Sequence, residues 1–299
     1  QADRMEQFAD MLLDAGLNHV QMRVQVNEPD IADRVAYLQS RGIEVFGYDK
    51  AFIGIRGERE DYQVRADGSI KEGTVCPRSE RRIAEMIETG NAIADTGVDG
   101  MVWDFITVES RTMEACFCED CVATFNEAAG TDYDREALVA ALKEDDEALQ
   151  TWRQVRRKST NEAMRRVTEG MHGHRADMQV GGYVIMPGND LGSDTVALSS
   201  MLDVLAPMIY QARSRANVGW MRNRLEVFAQ MPGDARIIEC VDTGFYVDQP
   251  VEELINTTWD CHRAGIDGWA LWPWGKVSGA ELAGVAAVPT LARRFDEPL

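Results

Sequence analysis

Apolar positions along this chain fall into two rhythms that take turns. Helical spacing covers Arg4 to Gly16, with Met5, Phe8, Met11 and Leu12 on one face and Gly16 as the stop. A strand follows at His19 to Val26, then a helix from Pro29 to Arg41 and a strand from Ile43 to Tyr48. Ser79 caps a helix at Glu80 to Thr96, and the run Met101, Val102, Trp103 stops at Asp104. An apolar run without alternation predicts a strand covered on both faces, as in a parallel sheet. Short helical spacing at Cys121 to Ala129 is followed by one or two long helices over Asp134 to Arg175, broken near Asp145. The remaining strands are expected at Met178 to Met186, Val204 to Tyr210, Arg236 to Val241 and Gly268 to Trp274. Their helices fall at Thr195 to Met201, Asn217 to Met231, Val251 to Ala264 and Ala280 to Phe295. The stretch from Ala51 to Pro77, rich in Gly, Arg and Asp, reads as one long loop.

Each of the seven strands follows a helix, which predicts an α/β chain built on a parallel sheet. A (β/α)8 TIM barrel needs eight strands, so its first strand is expected upstream of Gln1 or in an irregular form. The alternative is an open doubly wound sheet, against which no Gly-rich phosphate loop follows any strand. With no repeat or linker, residues 1–299 are expected to form a single barrel domain.

In barrel enzymes the chemistry sits at the C-terminal ends of the strands. Numbered with the missing strand, the third ends in Tyr48 and Asp49, and the fourth in Trp103 and Asp104 with Glu109 in the loop beyond. Tyr183, Tyr210, Glu239 with Asp242, and Trp272 with Trp274 come from the fifth to the eighth. Aromatic rings stack on the apolar faces of sugars, and paired carboxylates perform glycosidic acid–base work. Asp104 and Glu239 are the expected catalytic pair, with Glu109 as a third candidate. Tyr48, Asp49, Trp103, Tyr183, Tyr210, Asp242, Trp272 and Trp274 are the expected substrate-binding set. The four histidines (His19, His172, His174, His262) are scattered and read as structural.

Charge narrows the partners. The net charge is −19 and only five lysines occur, Lys50, Lys71, Lys143, Lys158 and Lys276. Phosphate backbones and anionic membrane surfaces both need a basic face, so neither is expected as a partner. Acid excess with scarce lysine suggests a salt-adapted, halophilic protein whose self-repulsion is screened in its own medium; the plainer alternative is a GC-rich genome. A soluble protein is expected, cytoplasmic or secreted, with self-association into a homo-oligomer left open.

Cys116, Cys118 and Cys121 form a C-x-C-x2-C cluster, too cramped for a disulfide framework and suited to a metal. A tetrahedral ion needs a fourth ligand, which Cys76 can supply from the preceding loop; the alternative is four free thiols. Cys240 and Cys261 sit in apolar contexts and read as core residues. The segment CPRS at Cys76, a helix, a strand and then CFCEDCVATF resembles the corresponding part of the glycoside hydrolase family 42 β-galactosidases. GIDGWALWPWGKVSGAEL near the chain's end is similar to that family's eighth strand. The resemblance spans roughly residues 75–130 and 265–285. It implies a TIM barrel, glycosidase activity, and a structural Zn2+ held by Cys76, Cys116, Cys118 and Cys121. Glu239 matches the nucleophile position, while Phe105 and Ile106 stand where the family has Asn and its acid Glu, so the chain looks like a divergent relative, akin to the "hypothetical glycosyl hydrolase" families that share the cluster. VDGMVWD also resembles barrel glycosidases, such as the α-fucosidase and α-amylase groups, in which the Asp ending the fourth strand is the nucleophile. A glycosidase acting on a carbohydrate substrate is therefore expected, with a catalytically impaired carbohydrate-binding barrel as the alternative.

Overall fold

A computed structural model describes residues 2–108, 114–188, 191–209, 220–242 and 251–272, with helical pieces at 283–284 and 286–287. Seven parallel strands form a nearly closed barrel: β1 (His19–Met22), β2 (Glu44–Lys50), β5 (Gly100–Asp104), β6 (Gln179–Val184), β7 (Val204–Pro207), β8 (Arg236–Asp242) and β9 (Gly268–Trp272), in that order. Sequential neighbours in a parallel sheet are what helix crossovers of one hand produce, and the open doubly wound alternative falls. Among the described residues β1 pairs only with β2, and β9 only with β8. The seam between them holds a cavity of about 330 Å³, lined by Leu12, Val20 and Leu271 on the outside and by Gln21, Tyr48 and Tyr183 on the inside. It lies where the numbering leaves the first strand of an eight-strand barrel.

Helix boundaries follow their caps. The Ser79 hydroxyl accepts the Arg82 N–H at 3.1 Å and opens α3 (Glu80–Ala94). Asp145 accepts the Glu147 N–H at 2.8 Å, which splits α5 (Arg135–Glu144) from α6 (Asp146–His174). The long loop is more ordered than its composition predicts. It contains an antiparallel hairpin of β3 (Tyr62–Val64) and β4 (Ile70–Val75), turned at Asp67-Gly68, where Asp67 accepts the Ser69 N–H and Gly68 takes φ 83°.

Strand alternation divides the apolar residues into two populations. Phe46, Val102, Tyr183, Val204, Ile238 and Cys240 pack inside the barrel. Val45, Trp103, Val180, Leu205, Ile237 and Val241 alternate with them and pack outward, on the helices. The Phe46 ring fills the barrel across Gly100, where a Cβ would lie 2.6 Å from it.

The N-terminal end of the barrel is tied by one carboxylate. Glu44 accepts from His19 Nδ1 at 2.8 Å and from Arg236 at 3.0 Å, and Gln179 reaches it at 3.3 Å, so β1, β2, β6 and β8 meet there. The Phe46 ring lies against both partners' side chains, 4.7 Å from the His19 ring and 5.9 Å from the Arg236 guanidinium. The His19 hydrogen bond, with help from Arg236, holds the Glu44 carboxyl down at about 2 against an ordinary 4.5. A carboxyl that titrates lower in the fold than in the unfolded chain stabilises fully above pH 4.5 and ceases to as pH falls towards 2. Glu44→Gln is expected to cost about 1 kcal/mol at neutral pH, discounted for partial solvent screening, with the gap to wild type closing as the pH of a urea denaturation series drops through that window. A constant gap across the series would assign the loss to packing instead of charge.

Candidate functional site

Asp104 ends β5 on the inward-facing register, two residues beyond Val102. Its Oδ2 accepts the Tyr48 hydroxyl at 2.7 Å, and its Oδ1 accepts the Phe105 N–H at 2.7 Å. Burial pushes its carboxyl above the ordinary 3.8, against the pull of the Tyr48 bond and the charge of Lys50. Burial also pushes the Tyr48 phenol up, and the adjacent Asp104 charge adds to it, so Tyr48 stays a donor. Phe105 turns the chain with φ 55°, a left-handed conformation that costs a non-glycine residue about 1 kcal/mol and is concentrated at functional sites.

Tyr183 stands beside this pair. Its ring meets Tyr48 edge-on with centroids 6.0 Å apart, and its hydroxyl donates to the Gln21 side-chain oxygen across the barrel. Asp104, Tyr48 and Tyr183 are therefore brought together at one mouth, with Gln21 and Cys240 beneath them.

Other expected residues lie elsewhere. Glu239 falls between the inward-facing Ile238 and Cys240, so its side chain enters the layer between sheet and helices, near Cys261 of α9 (Val251–Ala264). There it is fully buried; Oε1 accepts the Ile209 N–H at 3.0 Å and Oε2 has no partner among the described residues. Burial drives its carboxyl well above the ordinary value, and nothing places it within reach of Asp104. Trp103 is likewise fully buried in the outer layer and presents no ring to a substrate. Asp49 sits on the face of β2 opposite Tyr48, with Arg82 of α3 as its electrostatic neighbour. Asp242 and Trp272, the last residues of β8 and β9, are paired in register. Glu109, Tyr210 and Trp274 lie outside the described residues. Ile106, at the position where an acid was expected, is fully buried, its tip 2.7 Å from where a Cβ on Gly182 would stand.

The four cysteines converge. Cys76 follows β4, Cys116 and Cys118 follow β5, and Cys121 lies in the first turn of α4 (Glu119–Ala129). Their sulfurs all lie within 4.8 Å of one another, with Cys76–Cys121 at 3.6 Å and Cys118–Cys76 at 3.7 Å. Hydrogen bonding from Cys116 first, then Cys121 and Cys76, favours the Cys118 thiolate. The group can hold a metal ion. A separate small core of Phe117, Phe125, Leu138 and Trp152 supports it, with Phe117 stacked 5.0 Å from Trp152.

The mouth residues Arg23, Gln21 and Lys50 were not singled out from the sequence as site residues. Arg23 was legible only as part of a strand, and Gln21 contributes an inward side chain at a position that alternation alone would have flagged.

No protein-family model and no curated protein sequence matches this chain. Solved structures do. The β-galactosidase of the Antarctic haloarchaeon Halorubrum lacusprofundi aligns with a TM-score of 0.70 at 14% identity, over 97% of this chain and 56% of its own. The β-galactosidase of the psychrophilic Marinomonas ef1 aligns with a TM-score of 0.73 at 9% identity, over 99% of this chain and 58% of its own. An exo-β-agarase aligns with a TM-score of 0.60 at 12% identity, over 96% of this chain and 47% of its own. The chain spans about half the length of these proteins, and what it shares with them is the fold, a parallel α/β barrel.

Proposed function

We propose that this chain is a glycoside hydrolase whose central catalytic group is Asp104. The observation that carries the reading is that carboxylate: half-buried, held by Tyr48, and set at a strand's C-terminal end in a barrel fold that recurs in β-galactosidases and an agarase. A carboxyl raised by burial keeps its proton to higher pH, which suits donation to the glycosidic oxygen as the bond to the leaving sugar breaks. Tyr48 then donates to the carboxylate that remains. The second carboxylate is assigned to Asp242, the last residue of β8, three strands along from β5. Glu239, turned into the helix layer, is not given that role.

A second reading is carbohydrate binding without turnover. Ile106 favours it, because a buried aliphatic residue fills the place of the expected acid.

The thiol cluster is read as a structural zinc site. Four sulfurs 2.3 Å from a tetrahedral Zn2+ stand about 3.8 Å apart, close to the 3.6 and 3.7 Å separations of Cys76 from Cys121 and Cys118. Four thiolates close the coordination shell, so zinc there supplies folding energy by pinning the loops after β4 and β5.

Aryl-glycosides of galactose, fucose, glucose and arabinose test the reaction at high salt. Asp104→Asn and Asp242→Asn are expected to lower kcat/KM at least about 100-fold on the substrate that wild type cleaves, and Glu239→Gln to stay within several-fold. Asp104→Asn is also expected to raise Tm, because it removes a carboxyl whose ionisation the fold disfavours. Wild type inert on every glycoside yet binding an oligosaccharide would establish the second reading. Metal analysis of purified protein is expected to give one zinc per chain, and Cys121→Ser to lose it with a fall in Tm of about 5 °C. Four reagent-accessible thiols and no metal would refute the zinc reading.

A further inference from the structure

The rim above β1 and β2 carries two cations that the proposed hydrolysis leaves without a task. Arg23 follows the last residue of β1 on the same face as His19 and Gln21. The pairing of Met22 with Gly47 brings it beside Tyr48, and it lines the same cavity as Tyr48 and Tyr183. Lys50 ends β2 on the Tyr48 face and is paired in register with Asp104 itself. Its ammonium stands 5.5 Å from the centre of the Phe105 ring and against Gly54, where a Cβ would come within 2.7 Å of Nζ. The left-handed Phe105 and the glycine thus hold the ammonium in place at the mouth.

Neither Arg23 nor Lys50 makes an ion pair among the described residues. The chain carries 50 acidic residues against 31 basic ones. Arg34, Arg81, Arg165, Arg166 and Arg236 all hold carboxylates. Arg23 and Lys50 hold none among the described residues; Lys50 acts on Asp104 through its charge without an ion-pair contact, and both cations lie on one side of that carboxylate, in the order β1, β2, β5 along the sheet, where a ligand at the mouth can meet them.

We infer that Arg23 and Lys50 form a subsite for an anionic saccharide, one whose sugar unit beside the bond at Asp104 carries a carboxylate or a sulfate ester. The guanidinium fork matches either anion with two parallel hydrogen bonds, and the ammonium adds a point charge. A neutral sugar filling this mouth would strip water from both cations and return no opposite charge. In a molecule of net charge −19, an anionic ligand is repelled at most approaches, and a local cationic rim defines where it can settle. The inference rests on the proposed function for placing a saccharide at this mouth, but its test reads binding without turnover.

Calorimetric titration compares three trisaccharides: trigalacturonate, a galactose trisaccharide bearing sulfate esters, and its neutral counterpart. The titrations run at the lowest salt that keeps the chain folded, because screening weakens the expected contrast. One charged ligand is expected to bind at least tenfold tighter than the neutral one, and which of the two does so separates carboxylate from sulfate. Arg23→Gln and Lys50→Gln should each cut the charged-to-neutral ratio several-fold, with Arg23→Lys and Lys50→Arg keeping most of it. Equal or tighter binding of the neutral trisaccharide, a ratio unchanged in both glutamine variants, or no binding of any of the three overturns the inference. A charged ligand that binds but is never cleaved leaves the subsite standing and removes the hydrolase reading. Cleavage of a neutral galactoside with no charged binding does the reverse.

Discussion

The period of two along a strand governs this molecule. In a barrel whose sheet is covered on both sides, one face of each strand meets the interior and its mouth, and the other meets a helix. A shift of a single residue therefore separates a group that can touch a ligand from one sealed behind the wall. Tyr48, Asp104 and Tyr183 fall on the inner face and meet one another. Trp103 and Glu239 are one residue away from inward positions and fall on the outer face. The outer position explains the state of Glu239: removed from water with one hydrogen bond, it is favoured in its neutral form, as an isolated buried carboxyl must be.

Much of the fold was legible in the sequence because helix ends and loop punctuation are local. Ser79 and Asp145 each act through a side chain bonding to backbone two or three residues ahead, and that chemistry is written in adjacent letters. The alternation of helices with apolar runs gave the parallel barrel. Asp104 was legible because it breaks the apolar run at the strand's end. The face of a residue within a run was not legible: in RIIECVD both neighbours of Glu239 are apolar whichever way the strand is turned, so composition carries no sign of inside or outside. The β3–β4 hairpin was hidden by polarity, since its strands are short and largely half-exposed and only the Asp67-Gly68 turn marks it. The convergence of Cys76 with the C-x-C-x2-C cluster was legible from spacing once the strand between them was recognised, because both loops must emerge at the same end of the barrel.

The mouth and the thiol cluster are also mechanically joined. The backbone of Ala51 donates to Asp104 O at 2.7 Å, Arg82 grips Ala51 O at 2.7 Å, and Cys76 N donates to Asp61 O at 2.8 Å. Phe117 N donates to Val64 O at 2.8 Å, so the hairpin is bonded to the cysteine loop. Val75 N donates to Phe52 O at 2.8 Å, so hydrogen bonds and short chain segments link the backbone of Asp104, through Ala51 and Phe52, to that of Cys76. Fixing the cysteine loops restricts the loop after β2, and that loop carries the glycine against which Lys50 rests.

Among the described residues nothing joins β1 to β9, and that seam makes the barrel a split ring. A closed hoop of strands can change its girth only by breaking hydrogen bonds, whereas a split ring can spread or tighten by bending alone, with every described strand pair intact. The two strands at one lip of the split carry Arg23, Tyr48 and Lys50, and the opposite lip carries the strand that ends at Trp272. The Tyr183–Gln21 bond crosses the interior from the far side of the ring to the first lip and acts as a tie-rod against spreading. The aperture offered to a ligand is in this sense a spring, to whose stiffness that phenol and that amide contribute.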